Sequence, residues 1–267
     1  MQCQEIHKGL LIKRGLARRA AQPADGKEAP NPYCRTDSDR ASMLSNNCNA
    51  ITVRAVFSLL QKLHWVSLMK QTLDFYWDIG STNSYFAFKL IQPIVKRHNA
   101  KVRWHPFNLG YVFRSNDYVL MDEPKAKMRN RLADLNRWAK FHQLPFRMPD
   151  NFPIKTSRAL RAAIAMRQWD LEFEFMQSIF SAYWEKNVGT IGEYTTLTSI
   201  AEELGVEAKA FEAVCESDEV KQALIDSTNQ ALERGVFGAP SIYIDDELYW
   251  GKDRMEFIDA QLSSLNQ

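Results

Sequence analysis

Sulfur is scarce where the chain reads most like a folded domain. Of four cysteines, Cys3, Cys34 and Cys48 fall in the first 68 residues and Cys215 stands alone in the rest. One thiol excludes a disulfide framework or a cysteine-rich zinc site there. Also missing is any apolar run near the ~18 residues of a membrane span. The best candidate, "AITVRAVFSLLQKLHWVSLM", is broken by Arg54, Gln61, Lys62 and His64. With no span and no signal-peptide arrangement, the expected location is the cytoplasm. Nor is there a strong excess of one charge, since 34 Lys/Arg face 32 Asp/Glu. Residues 1–68 hold ten Lys/Arg against five Asp/Glu and the remainder 24 against 27, so the body gives no reason to expect nucleic acid. Internal repeats and low-complexity runs are absent.

What is present suits a globular domain: 267 residues, 45% hydrophobic and 12% aromatic, enough to bury a substantial core. The first 68 residues have scattered charges and no sustained period. They read as a non-native extension from a gene model started too far upstream, or else as a disordered or targeting extension. At Met69-Lys70 the pattern changes to that of a domain start.

From there "TLDFYWDI" predicts a strand, Ser84 to Asn99 a helix with Pro93 as a kink point, and "KVRWHPFNL" a second strand. This is a βαβ unit with parallel strands and a right-handed crossover. Helical patterns then dominate from Pro124 to Glu233. The chain ends in a helix, a Gly-rich turn with Pro240, two short strands around Asp245-Asp246, and a helix from about Asp253. The expected architecture is α/β, a thioredoxin-like fold with an inserted all-helical domain: residues 69–118 and 226–267 form the first and 119–225 the insertion.

The corner Gly80-Ser81-Thr82-Asn83 joins the first strand to the helix. Read on its own, a serine there is an N-cap, with Asn83 or Ser84 as alternatives. Helix-start N–H groups and the helix dipole also favour an anion at that place.

The chain from Leu73 onward resembles the glutathione-dependent isomerases of 2-hydroxychromene-2-carboxylate, which are similar to kappa-class glutathione transferases and belong to the DsbA-like thioredoxin superfamily. Three stretches carry the resemblance: "DFYWDIGSTNSY", "NRWAKFHQLPFRMPDNFPIKTSRALRAA" and "GVFGAPSIYIDDELYWGKDRMEF". It implies that Ser81 is the catalytic residue that hydrogen-bonds the glutathione sulfur, where thioredoxin-type oxidoreductases carry their first cysteine. Ser84 takes the second cysteine's place, which argues against a disulfide oxidoreductase. The proline that commonly follows the family's serine is replaced by Thr82.

The resemblance further implies that Pro240 is a cis-proline and that Ala239 offers its backbone to glutathione. Asp253 would meet the γ-glutamyl ammonium, and Lys252 stands beside it where relatives carry a small or polar residue. Asn116 and Lys127 would hold glutathione near the insertion, while Lys155, Arg158 and Arg161 border a pocket for an aromatic carboxylate substrate. Without the resemblance these read as an ordinary turn at Pro240, a helix-start acid at Asp253, a solvated Lys127 and a wet helix face at Arg158 and Arg161. His105 and His142 lack metal-ligand spacing and read as structural; no metal is expected. The implied activity is isomerisation by reversible thiolate addition, without consumption of glutathione and with a homodimer admissible. The alternatives are a kappa-like transferase or peroxidase, which releases the adduct, and a non-catalytic thioredoxin-fold binding module.

Overall fold

Strand β1 (Thr72–Trp77) follows from alternation: Leu73, Phe75 and Trp77 are fully buried on one face, and Asp74 and Tyr76 point to the other. The computed structural model describes residues 71–119 and 122–265; the extension expected over residues 1–68 lies outside them. After a turn at Asp78–Ser81 the chain enters helix α1 (Thr82–His98), which ends on Asn99 in the left-handed conformation, φ 50°. It returns as β2 (Lys101–Pro106), parallel to β1, with Asp74 opposite Arg103. The second strand is shorter than "KVRWHPFNL" suggests. It stops at Pro106, and Asn108 caps a short helix α2 (Leu109–Ser115), accepting from the Tyr111 N–H at 2.9 Å. An asparagine before "LGYVF" is itself a helix-start signal, and the strand reading overran it.

The other half of the sheet comes from the far end of the chain. Strand β3 (Ser241–Ile244) lies antiparallel to β1 and β4 (Glu247–Trp250) antiparallel to β3, giving the order β2-β1-β3-β4. The hairpin turns at Asp245-Asp246, with Asp245 at φ 53°. The final helix, α9, starts at Met255 and runs to Leu265.

Between the halves lie α3 (Lys125–Phe141), α4 (Ser157–Ala165) continued by a 3-10 turn (Met166–Trp169), α5 (Glu172–Trp184), α6 (Tyr194–Glu203), α7 (Ala208–Cys215) and α8 (Asp218–Glu233). This is the expected α/β thioredoxin-like arrangement with a helical block. Helix α8 runs unbroken through residues 225 and 226, where the sequence placed the end of the insertion. The core is likewise continuous: Phe180 of α5 packs against Trp77 of β1 and Phe88 of α1, ring centroids 5.4 and 5.1 Å apart. Each such buried aromatic contributes about 2–3 kcal/mol of burial. The indole N–H of Trp184 donates to the Ile79 carbonyl at 2.9 Å, fastening the end of α5 to the β1–α1 corner.

The opposite face of the sheet carries a smaller apolar cluster that includes Tyr76, Val112, Ala231 and Tyr243, from β1, α2, α8 and β3. Asp74 lies on this face. Its carboxylate accepts from Arg103 Nε and Nη2 at 2.6 and 2.7 Å, from Arg234 Nη1 at 2.7 Å, and pairs with His105 Nε2 at 2.7 Å. Burial alone would raise its pKa, but the bonds from Arg103, Arg234 and His105 outweigh that and hold it well below the usual carboxylate range. His105 is thus accounted for within the fold. Among the described residues no helix is long and apolar enough to cross a membrane.

Candidate functional site

Ser81 caps α1. Its backbone is extended and its Oγ accepts from the Ser84 N–H at 3.2 Å. The same hydroxyl donates to the Ala239 carbonyl at 2.8 Å, across 158 residues of sequence. The Ala239–Pro240 peptide is cis. Three of the sequence candidates, Ser81, Ala239 and Pro240, therefore meet at one point. Helix geometry leaves the N–H groups of Thr82 and Asn83 without intrahelical acceptors beside the hydroxyl. Ser84 is fully buried and its hydroxyl has no hydrogen-bond partner. A hydroxyl, free helix-start N–H groups and an orphan donor suit a thiolate, so the corner fits glutathione sulfur.

Beneath this corner sits a residue that the sequence reading passed over. Asp78 is 2% exposed, and its oxygens accept from the Gly80 N–H at 2.8 Å, the Leu109 N–H at 2.9 Å and the Thr156 hydroxyl at 3.1 Å. One carboxyl group thereby joins the Ser81 turn, the start of α2 and the segment before α4. Burial pushes its pKa up to about 6 against those three bonds. Space at Gly80 is tight, since a Cβ there would lie 3.0 Å from Thr156 Cγ2 and 3.3 Å from Asp78 Oδ1. The local signal was an Asp two residues before a glycine, which marks an Asx-type turn.

A cavity of about 860 Å³ opens beside the corner, with Asp78 and Gly80 in its wall. Lys155, Arg158 and Arg161, expected to border a substrate pocket, all line it, together with the apolar side chains of Phe113, Phe152 and Ile154. Two of these cations are already engaged. Arg158 pairs with Glu193 at 2.7 Å, and Arg161 meets Glu216 at 2.9 Å and the Tyr194 hydroxyl at 3.0 Å.

The remaining candidates lie outside the cavity wall. Asn116 ends α2, with its amide donating to the Val112 carbonyl at 2.8 Å. Lys127 pairs with Glu123 at 3.2 Å and is 64% exposed. Lys252 lies over the Trp138 ring at 4.5 Å, 3.7 Å from Asp134. Asp253 pairs with its neighbour Arg254 at 2.8 Å and stands 2.8 Å from where a Cβ on Gly251, φ +104°, would fall. Cys215 is buried, which pushes its thiol up to about 12 and leaves it unsuited to thiolate chemistry. Among the described residues no group of three or more His, Cys, Asp or Glu is placed to hold a metal.

A mixed four-stranded sheet, with a helix N-terminus facing a cis-proline loop across its end, defines a thioredoxin-like protein. A family model described as the DSBA-like thioredoxin domain matches residues 72–263, and the chain belongs to that family. Its relatives narrow the comparison. The 2-hydroxychromene-2-carboxylate isomerase of Sphingobium xenophagum is 28% identical over 196 residues, spanning 73% of this chain and 99% of that protein. Glutathione S-transferase kappa 1 of Caenorhabditis elegans is 25% identical over 206 residues, spanning 70% and 88%. A solved structure of 2-hydroxychromene-2-carboxylate isomerase matches with a TM-score of 0.65 at 25% identity, covering 73% of this chain and 95% of that one.

Proposed function

We propose that this chain is a glutathione-dependent isomerase of 2-hydroxychromene-2-carboxylate or a related intermediate of aromatic degradation. The observation that carries the reading is the Ser81 hydroxyl, placed at the start of α1 and 2.8 Å from the Ala239 carbonyl, next to a cation-lined cavity. The isomerases among the relatives support it.

Bound glutathione supplies a thiol that adds reversibly to a conjugated substrate. Ser81 and the Thr82 and Asn83 N–H groups lower the free energy of an anion at the corner, which keeps that thiol deprotonated near neutral pH. The Ala239 backbone aligns an extended peptide beside cis-Pro240 in the manner of an added strand. Asp253, exposed at the end of the sheet, takes the γ-glutamyl ammonium by leaving Arg254, with Lys252 beside it; for Asn116 and Lys127 to hold the same ligand, Asn116 must give up the Val112 carbonyl and Lys127 must leave Glu123. The cavity holds the substrate, and its cations oppose negative charge that develops on the substrate oxygens. Ser81 and Ser84 in place of a cysteine pair leave no sulfur at this corner to form a disulfide.

The test is a calorimetric titration with glutathione, followed by an isomerase assay in which free thiol is counted. Binding, with product formed at constant thiol, is the expected result. Progressive loss of thiol would reassign the chain to a kappa-like transferase, and absence of glutathione binding would leave a thioredoxin-fold binding module.

A further inference from the structure

Helix α3 is thinly attached for its length. Between Lys125 and Phe141 only Leu135 and Ala139 are buried. A helix with so little buried surface depends on the few side chains that tie it down. At its start Glu123 takes Lys127 and Arg131. Near its end the tie comes from the far side of the sequence: the Lys252 ammonium lies over the Trp138 ring, 4.5 Å from its centroid, and 3.7 Å from Asp134. Trp138 is itself steadied by stacking on His142, with centroids 4.9 Å apart and planes 21° off parallel. The Lys252 side chain is 12% exposed, so this cation–aromatic contact lies largely out of water, where it is strongest.

Lys252 stands in residues 251–254, which join β4 to α9. The Gly251 N–H donates to the carbonyl of cis-Pro240 at 3.1 Å. Trp250, the last residue of β4, lies against Gly238, where a Cβ would come within 2.5 Å of its Nε1. The loop is thus fixed on one side to the cis-proline corner and on the other, through Lys252, to α3. Asp253 is the next residue. Among the described residues its carboxylate has no ion-pair partner other than the adjoining Arg254 at 2.8 Å, so its place is set by the backbone on either side of it.

We propose that Lys252 is a positioning residue: by gripping Trp138 and Asp134 it braces the β4–α9 loop against α3 and holds Asp253 where the γ-glutamyl ammonium of glutathione can reach it. The proposal rests on the glutathione reading for its ligand, whereas the grip on α3 is independent of it. A lysine beside a ligand-binding aspartate reads in the sequence as a second contact to the ligand. With its ammonium on Trp138 and Asp134 it acts through the loop instead. Linkage makes the converse true, so glutathione bound at Asp253 steadies α3.

Hydrogen exchange and glutathione calorimetry test the two halves. Lys252→Met, which keeps an unbranched apolar stem, should speed exchange of the α3 amides around Trp138 while the β1 amides stay as they are. It should also weaken glutathione binding roughly fivefold, because the coupling cannot exceed the strength of one partly desolvated cation–aromatic contact. Lys252→Arg should restore both. Trp138→Leu should weaken glutathione binding to a similar degree and add nothing in the Lys252→Met background. In turnover, Lys252→Met should raise KM for glutathione with kcat nearly constant. Equal α3 exchange in Lys252→Met and the unaltered protein would overturn the proposal. So would glutathione binding that is unchanged or tighter in Lys252→Met, because the ammonium would then only compete with the ligand for Asp253, and so would additive losses in the double variant, because Lys252 would then touch glutathione itself. Failure of the glutathione reading is separate: the unaltered protein would not bind glutathione, while the exchange difference between it and Lys252→Met would persist.

Discussion

Two buried aspartates mark the two ends of β1, and they have been given opposite surroundings. Asp74, near the start, is ringed by Arg103, Arg234 and His105, and its carboxyl stays ionised far below the usual range. Asp78, just past the end, meets only N–H and hydroxyl donors, and burial raises it from 3.8 to about 6. The first arrangement uses charge to close one edge of the sheet. The second uses neutral hydrogen bonds to join three segments around a cavity, and keeps cations off the carboxylate so that they face the cavity. Both carboxyls are nearly inaccessible to solvent, but Asp74 has cationic partners and Asp78 has none.

Removing Asp74 should produce the largest effect on stability. Asp74→Ala strands Arg103, Arg234 and His105 together and should cost about 3 kcal/mol, the low end for breaking a buried pair because Arg103 still reaches water. Urea denaturation measures this, and glutathione affinity should not follow. An unchanged midpoint would show that the network holds nothing together.

Ser81→Ala tests the other end. Turnover should fall on the order of 10²-fold for loss of one charge-stabilising hydrogen bond, while stability drops only by the ~1 kcal/mol of an N-cap. Near-normal turnover would move the sulfur ligand to Thr82 or Ser84.

Asp78→Asn sharpens the contrast through pH. Asp78 holds its proton more tightly folded than unfolded, so its titration makes the protein less stable as pH rises from about 4 to 6, and more stable as pH falls through that window. Asp74 has the opposite sign: its contribution is complete above its unfolded value near 3.8 and is lost as pH falls below it. Urea midpoints between about pH 2 and 7 should therefore lose the gain between pH 6 and 4 in Asp78→Asn and the loss below about pH 4 in Asp74→Asn. In Asp78→Asn, turnover at pH 7 should also fall about tenfold as the Gly80 turn loosens. Parallel pH curves for the two variants would remove the distinction between the two carboxyls.

The smallest change should come from Arg158→Gln. Its pair with Glu193 is half exposed on both sides, and its loss should cost less than about 1 kcal/mol by thermal denaturation. A larger loss would show that this pair closes the cavity wall.

The fold was legible in the sequence wherever local chemistry repeats. Alternation in "LDFYW", the Gly-Ser corner and the Asp-Asp turn predict β1, α1 and the β3–β4 hairpin, and the helical periods of the middle reappear as α3 to α8. The end of β2 was less legible, because Pro106 and Asn108 compete for the same few residues. Asp78 could not be read as a clamp at all: Leu109 and Thr156 lie 31 and 78 residues away, and nothing local indicates that they converge. For the same reason the resemblance put Lys155, Arg158 and Arg161 together beside the pocket, whereas Glu193 and Glu216 engage two of the three.

The hydrogen bond from Ser81 to the Ala239 carbonyl has a consequence for what the corner will accept. A hydroxyl that already has a neutral acceptor gives it up only to a better one, and charged acceptors bind about twice as strongly as neutral ones. A protonated thiol offers the serine no better terms than the carbonyl does, whereas a thiolate does. The carbonyl thus sets a threshold of basicity, so that the protonation state of an incoming sulfur, and not its presence, decides whether the serine turns toward it.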